Sequence, residues 1–453
     1  MEQRLFGTNG VRGVVNEDMG AQLALDVGRA IGTFMGGKVA LATDSRTSAD
    51  MLRCSVAAGM MSVGVEVLDL GMLPTPALQY YVKNSGVKGG VMITASHNPP
   101  EFNGIKCIDY DGTEMPRAKE EVIEGIYFSK GFVQRSWRSI GSMRQVTGVD
   151  RSYINAVKRL VDAPAISDAK ISVVLDCANG AGSVTSPALL EMLGVRAVTL
   201  NANPQGTFPG HESEPTPDHL KDLMAVVKAT GADLGIAHDG DADRTIFVDD
   251  KGEYLYGDRS LALVASYIIR EKGGGTVVTP VSTSSCVEDV VKAAGGKVVY
   301  TKVGSPIVAR QMIELNAAFG GEENGGLIFP EHQYCRDGAM TMAKVLEIIA
   351  KEGKLSKLMR SVPNYALDKR RVEVANDLKE AVLEDLLIRF QGEKLDTTDG
   401  LKVHFSNGWA LIRPSGTEPI FRIYSEAKTK DAAKKIGDRC EKELREALEE
   451  AKA

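Results

Sequence analysis

Residues 36–71 read GGKVALATDSRTSADMLRCSVAAGMMSVGVEVLDLG. A short apolar run is followed by a loop of Thr, Asp and Ser, a helix-like stretch, a glycine and a second β-branched run. That order is strand, turn, helix, strand: a βαβ unit in a parallel or mixed sheet with helices on its faces. Residues 168–201 (DAKISVVLDCANGAGSVTSPALLEMLGVRAVTLN) and 273–304 (GGGTVVTPVSTSSCVEDVVKAAGGKVVYTKVG) repeat the plan. The three segments share pattern far more than identity, so the repetition is one of architecture. In open α/β sheets ligands collect beyond the carboxyl ends of the strands, where these polar loops fall.

Toward the C-terminus the pattern changes. A helix is expected over residues 377–390, then a hairpin through 401–414 (LKVHFSNGWALIRP) with Asn407-Gly408 as the turn signal, and a charged helix from Thr429. This is an α+β module. At 453 residues the chain exceeds a single core, given roughly 100 to 200 residues per domain. The expected fold class is α/β: similar mixed α/β domains at 1–150, 151–255 and 256–367, then an α+β domain at 368–453. No long Gly/Ser or Pro-rich linker joins them, which implies close packing around shared space.

Hydrophobic content of 43% and charged content of 25% are those of a globular protein. Neither a leader pattern nor a long apolar run is evident, so a cytoplasmic protein with no membrane contact is expected. The six cysteines include no Cys-x-x-Cys pair, which argues against a zinc site or a disulfide framework. A net charge of −6 gives no general attraction to nucleic acid or acidic lipid. An anionic ligand must be held by locally gathered Arg and Lys.

Six loops are candidates to carry chemistry. In ITASHNPPEFNGIK (93–106) an apolar strand stops at Thr94-Ala95-Ser96-His97-Asn98, and two prolines follow. The prolines lack backbone donors and keep the preceding residue out of the helical region, so a stiff, exposed loop is expected. Taken alone, Ser96 is most simply a turn or cap residue. In GADLGIAHDGDADRTIFVDDKG (231–252) a strand enters a loop bearing Asp239, Asp241 and Asp243 at alternate positions. Carboxylates so crowded repel unless a cation lies among them. An EF-hand would need glycine where Arg244 stands and a helix where this chain has a strand. Oxygen-only ligands with room for a phosphate oxygen favour one Mg2+. Neutralising one of the three is expected to raise stability without metal.

IRPSGTEPIFRIYSEA (412–427) gathers Arg413, Ser415, Gly416, Thr417 and Arg422, whose donors suit a phosphate. A capped hairpin loop is the plainer alternative. GGEENGGLIFPEH (320–332) sets Glu322 and Asn324 among four glycines, where a backbone can approach a polyhydroxyl ligand. LFGTNGVRG (5–13) places Arg12 in a glycine-flanked loop, and TKVGS (301–305), with Lys302 and Gly304, is a further ligand loop.

The order FGTNGVRG, TASHNPPEFNGIK, DGDADR, GGEENGG, RPSGTEP closely resembles the α-D-phosphohexomutase superfamily, archaeal phosphoglucosamine mutases and phosphomannomutase/phosphoglucomutases in particular, over residues 6–419. The resemblance implies four domains around a central cleft. It implies that Ser96 carries a phosphoryl group, gives it to the substrate, and regains phosphate from a hexose 1,6-bisphosphate intermediate. Asp239, Asp241 and Asp243, with a phosphoserine oxygen, would hold the Mg2+. Arg12, His97 and Lys106 would orient the phosphate and move protons, Lys106 being the first candidate for general base. Arg244 follows the metal loop, Glu322 would bind sugar hydroxyls, and residues 413–417 with Arg422 would clamp the distal phosphate. Many members carry a serine and a histidine where this chain has Asn324 and Gly326.

The implied partners are small sugar phosphates, glucosamine phosphate first and mannose or glucose phosphate as the alternative, with no nucleic acid and the oligomeric state open. Two other classes are weighed. A phosphatase with Asp239 as nucleophile leaves Ser96 and the clamp unexplained. A non-catalytic sugar-phosphate binder needs neither three aspartates nor a modifiable serine.

Overall fold

The computed structural model describes residues 4–7, 10–415 and 418–452. Four sheets succeed one another along the chain. The first runs, in spatial order, Val11–Val14, Phe102–Asp109, Gly89–Ile93, Lys38–Thr43, Glu66–Met72 and Met143–Gln145. Its centre is parallel, because the 36–71 unit crosses over through the helix Ala49–Ser62. Phe102–Asp109 runs antiparallel to both of its neighbours, Val11–Val14 and Gly89–Ile93. The second and third sheets repeat the parallel βαβ pairings, at Ser172–Asp176 with Arg196–Leu200 and at Gly275–Pro280 with Gly296–Thr301. Each adds antiparallel strands that return from the polar loops.

The fourth sheet is wholly antiparallel, in the order Ala366–Glu373, Ile420–Ala427, Gly408–Pro414, Leu401–Phe405, Lys394–Asp396. The helices Lys379–Arg389 and Lys430–Lys452 cover one face of it. It takes in Ala366 and Leu367, slightly ahead of the boundary expected from sequence. Its hairpin also turns earlier than expected: Phe405 pairs with Gly408, so Ser406-Asn407 makes the turn. Gly408 is glycine for another reason. A Cβ there would overlap the Glu426 carbonyl of the neighbouring strand.

One continuous apolar core runs through the first three sheets, from Leu68 and Met92 through Leu175 and Phe247 to Phe319 and Leu346. Burying a shared core fixes these domains against each other far more firmly than surface contact would. A polar network lies alongside it. Asp337 accepts from the Tyr153 hydroxyl (2.5 Å) and from Gln333 (2.8 Å), which also donates to the Pro76 carbonyl (3.0 Å). The fourth domain keeps its own core and meets the third through a small cluster of Val281, Trp409 and Leu411. All six cysteines are free, and among the described residues no helix is long and apolar enough to cross a membrane.

Candidate active site

The buried strand Gly89–Ile93 delivers Ser96 to the centre of the molecule. The loop is stiff but not exposed: Ser96 is fully enclosed. Its φ of +52° lies in the left-handed region, which costs a non-glycine residue about 1–3 kcal/mol unless its surroundings over-determine it. Here they do. The Thr94 hydroxyl oxygen accepts from the Ser96 N–H (2.8 Å). The buried Arg46 guanidinium donates to the carbonyls of Ser96 (2.9 Å), Asn98 (2.6 Å), Pro99 (2.6 Å) and Phe102 (2.7 Å), and pairs with Asp44 at 3.2 Å. Sequence reading passed over Arg46. The available signal was an arginine in the polar loop of the first βαβ unit.

The metal loop meets this serine. Leu234–His238 is buried throughout and ends at Asp239, whose Oδ2 accepts from the Ser96 hydroxyl at 2.8 Å. Gly240 permits the approach, since a Cβ there would lie 2.6 Å from the Ser96 carbonyl oxygen. Asp241 accepts from the Thr75 hydroxyl (2.6 Å) and from Lys106 Nζ (2.9 Å). Asp243 accepts from Arg336 (2.6 Å), a second residue that sequence reading missed.

One ligand atom from each aspartate lies within 4.8 Å of the others. Oδ1 of Asp241 and Oδ1 of Asp243 are buried with no hydrogen-bond partner. Two orphaned carboxylate oxygens beside a serine-bound third carboxylate are a donor set that fits a hard cation such as Mg2+.

Electrostatics separate the carboxylates. Burial, with Asp243 and Asp241 beside it, pushes Asp239 well above the usual carboxylate range. Burial alone would raise Asp241 too, but Lys106, Thr75 and Arg336 outweigh it and hold it well below that range. His97, whose Nδ1 lies 3.5 Å from the Ser96 oxygen, is driven down to about 2 by Arg244, burial and Arg12, so it stays a neutral imidazole. Arg12 donates to the Asn98 side chain (2.7 Å), and Arg244 lies 3.8 Å from the carboxylates of both Asp239 and Asp243. The Nε atoms of Arg12 and Arg244 are buried without an acceptor.

The sugar loop is the turn between Phe319–Gly321 and Leu327–Ile328. Gly325 lets it lie against the metal loop, because a Cβ there would stand 2.6 Å from the Thr245 carbonyl oxygen. Glu322 is buried and accepts from Arg336 (3.0 Å). The Asn324 side-chain oxygen closes its own turn by accepting from Gly326 N–H (3.1 Å).

Lys302 is exposed at the start of the neighbouring loop, and Gly304, at φ +139°, begins the helix Ser305–Leu315. That loop bridges domains. Ser305 donates to Glu114 of the first domain (2.6 Å), and Val303 N–H donates to Asp399 of the fourth (3.0 Å).

In the clamp, Arg413 pairs with Asp399 (2.6 Å) and Arg422 with Glu418 (2.6 Å), while the Ser415 hydroxyl accepts from Glu418 N–H (3.1 Å). Gly416 and Thr417 lie outside the described residues. The strand register sets Arg371, Arg422 and Arg413 abreast on three adjacent strands. Like charges directly opposite one another repel, and a shared anion relieves that. Arg371 and Asp399 were also missed, since only the register and the fold bring them to the clamp.

Known proteins match the chain along most of its length. The chain matches the phosphoglucomutase/phosphomannomutase family in its alpha/beta/alpha domain I (residues 3–134), domain II (151–252) and domain III (256–365), and in its C-terminal domain (365–443). The chain belongs to that family. Among its relatives, the phosphoglucomutase/phosphomannomutase of Thermococcus kodakarensis is 45% identical, covering 98% of this chain and 99% of its own. The phosphoglucosamine/phosphogalactosamine mutase of Sulfurisphaera tokodaii is 42% identical, covering 96% and 97%. The crystal structure of a family protein from Burkholderia thailandensis superposes with a TM-score of 0.86 at 29% identity, covering 99% of this chain and 97% of that one.

Proposed function

We propose that the protein interconverts a hexose 6-phosphate and the corresponding 1-phosphate through phosphoserine at Ser96 and a hexose 1,6-bisphosphate. Glucosamine phosphate is the first substrate, with mannose or glucose phosphate as the alternative. One observation carries the reading. Ser96 is held in strained backbone with its hydroxyl on Asp239, while Arg12, bonded to Asn98 of the same loop, and Arg244, 3.8 Å from Asp239, each keep a buried Nε that lacks an acceptor. A phosphoryl group on Ser96 would give those donors their acceptor.

In the forward direction the clamp holds the 6-phosphate and the sugar's O1 attacks the phosphorus on Ser96. The bond from phosphorus to the serine oxygen breaks as the bond to O1 forms, and the hydroxyl proton leaves to a base. Lys106 and His97 are the two groups we assign to proton movement, Lys106 first. The resulting bisphosphate turns, the clamp takes the new phosphate, and the 6-phosphoryl group returns to Ser96. Arg12 and Arg244 supply positive charge around the moving group, which is most of what phosphoryl transfer requires. Asp239, Asp241 and Asp243 would hold the Mg2+, which when bound neutralises charge on the phosphoryl oxygens.

Glu322 receives sugar hydroxyls, and Lys302 and Gly304 belong to a loop that contacts the first and fourth domains, where they would bind substrate. A phosphatase that used Asp239 as nucleophile is disfavoured. Both its oxygens are engaged, one by Ser96 and the other by Arg244 N–H (3.2 Å).

Intact mass and peptide mapping of freshly purified, active protein test the proposal. A phosphorylated fraction at Ser96 is expected, together with loss of most activity in Ser96→Ala without unfolding. Turnover with no modified serine and no need for a bisphosphate activator would count against it.

A further inference from the structure

Arg336 is almost completely buried, yet no charged ligand is needed to explain its place. Its Nη1 donates to Glu322 on the sugar loop at 3.0 Å and its Nη2 to Asp243 on the metal loop at 2.6 Å, with Glu114 of the first domain at 3.9 Å. Its backbone bridges Ile328, at the far side of the sugar-loop turn, so the side chain rises from the same hairpin that it ties down. Burial would lower this guanidinium, but Asp243, Glu322 and Glu114 outweigh it and raise it well above its ordinary value. It is a permanent cation and cannot carry a proton in the reaction.

The glycine at 326 has its reason here. Its backbone is not in the left-handed region, so the chain conformation would accept a side chain. A Cβ at that position, however, would overlap Cδ of Arg336. The stem of Arg336 therefore occupies the space that a side chain at 326 would fill, and the guanidinium beyond it reaches Glu322 and Asp243.

We propose that Arg336 is a positioning residue for sugar recognition: it fixes the Glu322 carboxylate against the metal loop, and residue 326 is glycine so that its stem can pass. The proposal rests on the mutase reading above, in which Glu322 meets sugar hydroxyls. A forked guanidinium sets the direction of a carboxylate as well as its charge, which a lysine cannot do. The consequence is specific. Arg336 acts on the sugar through Glu322 and leaves the distal phosphate untouched.

Calorimetric titration of Ser96→Ala protein, which cannot turn over, provides the test with glucosamine 6-phosphate, glucose 6-phosphate and inorganic phosphate as probes. Arg336→Met should weaken both hexose phosphates about ten- to a hundredfold, as loss of a charge-assisted hydrogen bond does. Arg336→Lys should fall between. Because Arg336→Met strands two buried carboxylates and is a folding risk, Gly326→Ala gives a second route that retains every charge and should weaken the same two probes by displacing the stem. Inorganic phosphate should bind all variants as it binds the parent.

In a Glu322→Gln background the Arg336→Met effect should vanish, since residues acting as a unit are not additive. Undiminished hexose phosphate binding in both Arg336→Lys and Gly326→Ala would overturn the proposal, as would full additivity with Glu322→Gln or an equal loss of inorganic phosphate. Failure of the parent to bind either hexose phosphate would instead overturn the mutase reading itself.

Discussion

The two halves of the site are built differently. Ser96, Lys106 and the three aspartates are enclosed, the three domains that supply this half share one core, and each carboxylate of the metal loop has a named partner from another domain or loop. The Arg422 pair is open: Arg422 is 41% exposed and its partner Glu418 49%. The clamp belongs to a domain with its own core and a narrow apolar contact to the rest. A group that moves a phosphoryl must already be in place, because reorganisation during the step raises the barrier. A group that must hold and then release either end of a turning sugar works through exposed ion pairs, which are individually weak.

The largest expected effect breaks the enclosed half. Asp241→Asn removes the carboxylate that Lys106 and Thr75 converge on. Turnover should fall by about a hundredfold or more, and the magnesium concentration needed for activation should rise, since a carboxylate is removed from the cation site. Normal turnover at limiting magnesium would make the metal assignment wrong. The structure also corrects the sequence-based expectation that neutralising one of these carboxylates stabilises the metal-free protein. Asp241 is the shared acceptor for buried Lys106 and Thr75, so its loss should cost on the order of 3 kcal/mol. The expectation transfers to Asp239, which burial and its two neighbours disfavour as an anion. Asp239→Asn should melt higher than the parent in chelator, and an Asp239→Asn protein that melted as low as Asp241→Asn would erase that distinction.

The contrast also explains what could be read from the chain. The repeated strand, loop and helix pattern announces the α/β domains because it is local, and the Asp-x-Asp-x-Asp loop announces itself because crowded carboxylates are chemically costly. Arg46, Arg336, Arg371 and Asp399 stayed hidden because single arginines and aspartates in polar loops are ordinary. Only the fold shows that Arg46 gathers the carbonyls of the serine loop, or that Arg336 fills the space above Gly326. The exposure of Ser96 was misjudged for the same reason: the metal loop that covers it lies far away in sequence. Gly408 reads as a turn residue, whereas the next strand demands it.

A smaller effect is expected at the open half. Arg422→Ala and Ser415→Ala should each weaken the 1-phosphate and the 6-phosphate alike by about tenfold, the value of a charge-assisted hydrogen bond to phosphate. Melting temperature should barely move for Arg422→Ala, because an exposed pair contributes little to stability. Forward and reverse kinetics beside melting curves measure both. Lower stability with unchanged kinetics would mean a structural hairpin loop, and an effect on one direction alone would contradict a clamp shared by both ends of the sugar.

The smallest effect on turnover, and the sharpest on the join between the halves, concerns Asp258. It is half-buried between the third and fourth domains, accepts from Ser284 N–H at 2.9 Å, and is pushed up to about 8 by desolvation, then by Glu323 and Glu426, with Lys369 partly opposing. An acid whose folded value lies above its ordinary value of 3.8 keeps a proton in the folded state that the unfolded chain has already lost. Between those two pH values the folded protein binds more protons, so stability falls as pH rises and levels off above about 8. Asp258→Asn stays neutral and escapes this slope. Urea unfolding of both proteins from pH 5 to pH 9 should show the variant gaining on the parent as pH rises, with the gain flattening near the top of the range. Parallel curves would show that Asp258 is ionised in the folded protein, and that its acidic neighbours impose no pH-dependent strain on the contact holding the clamp to the rest.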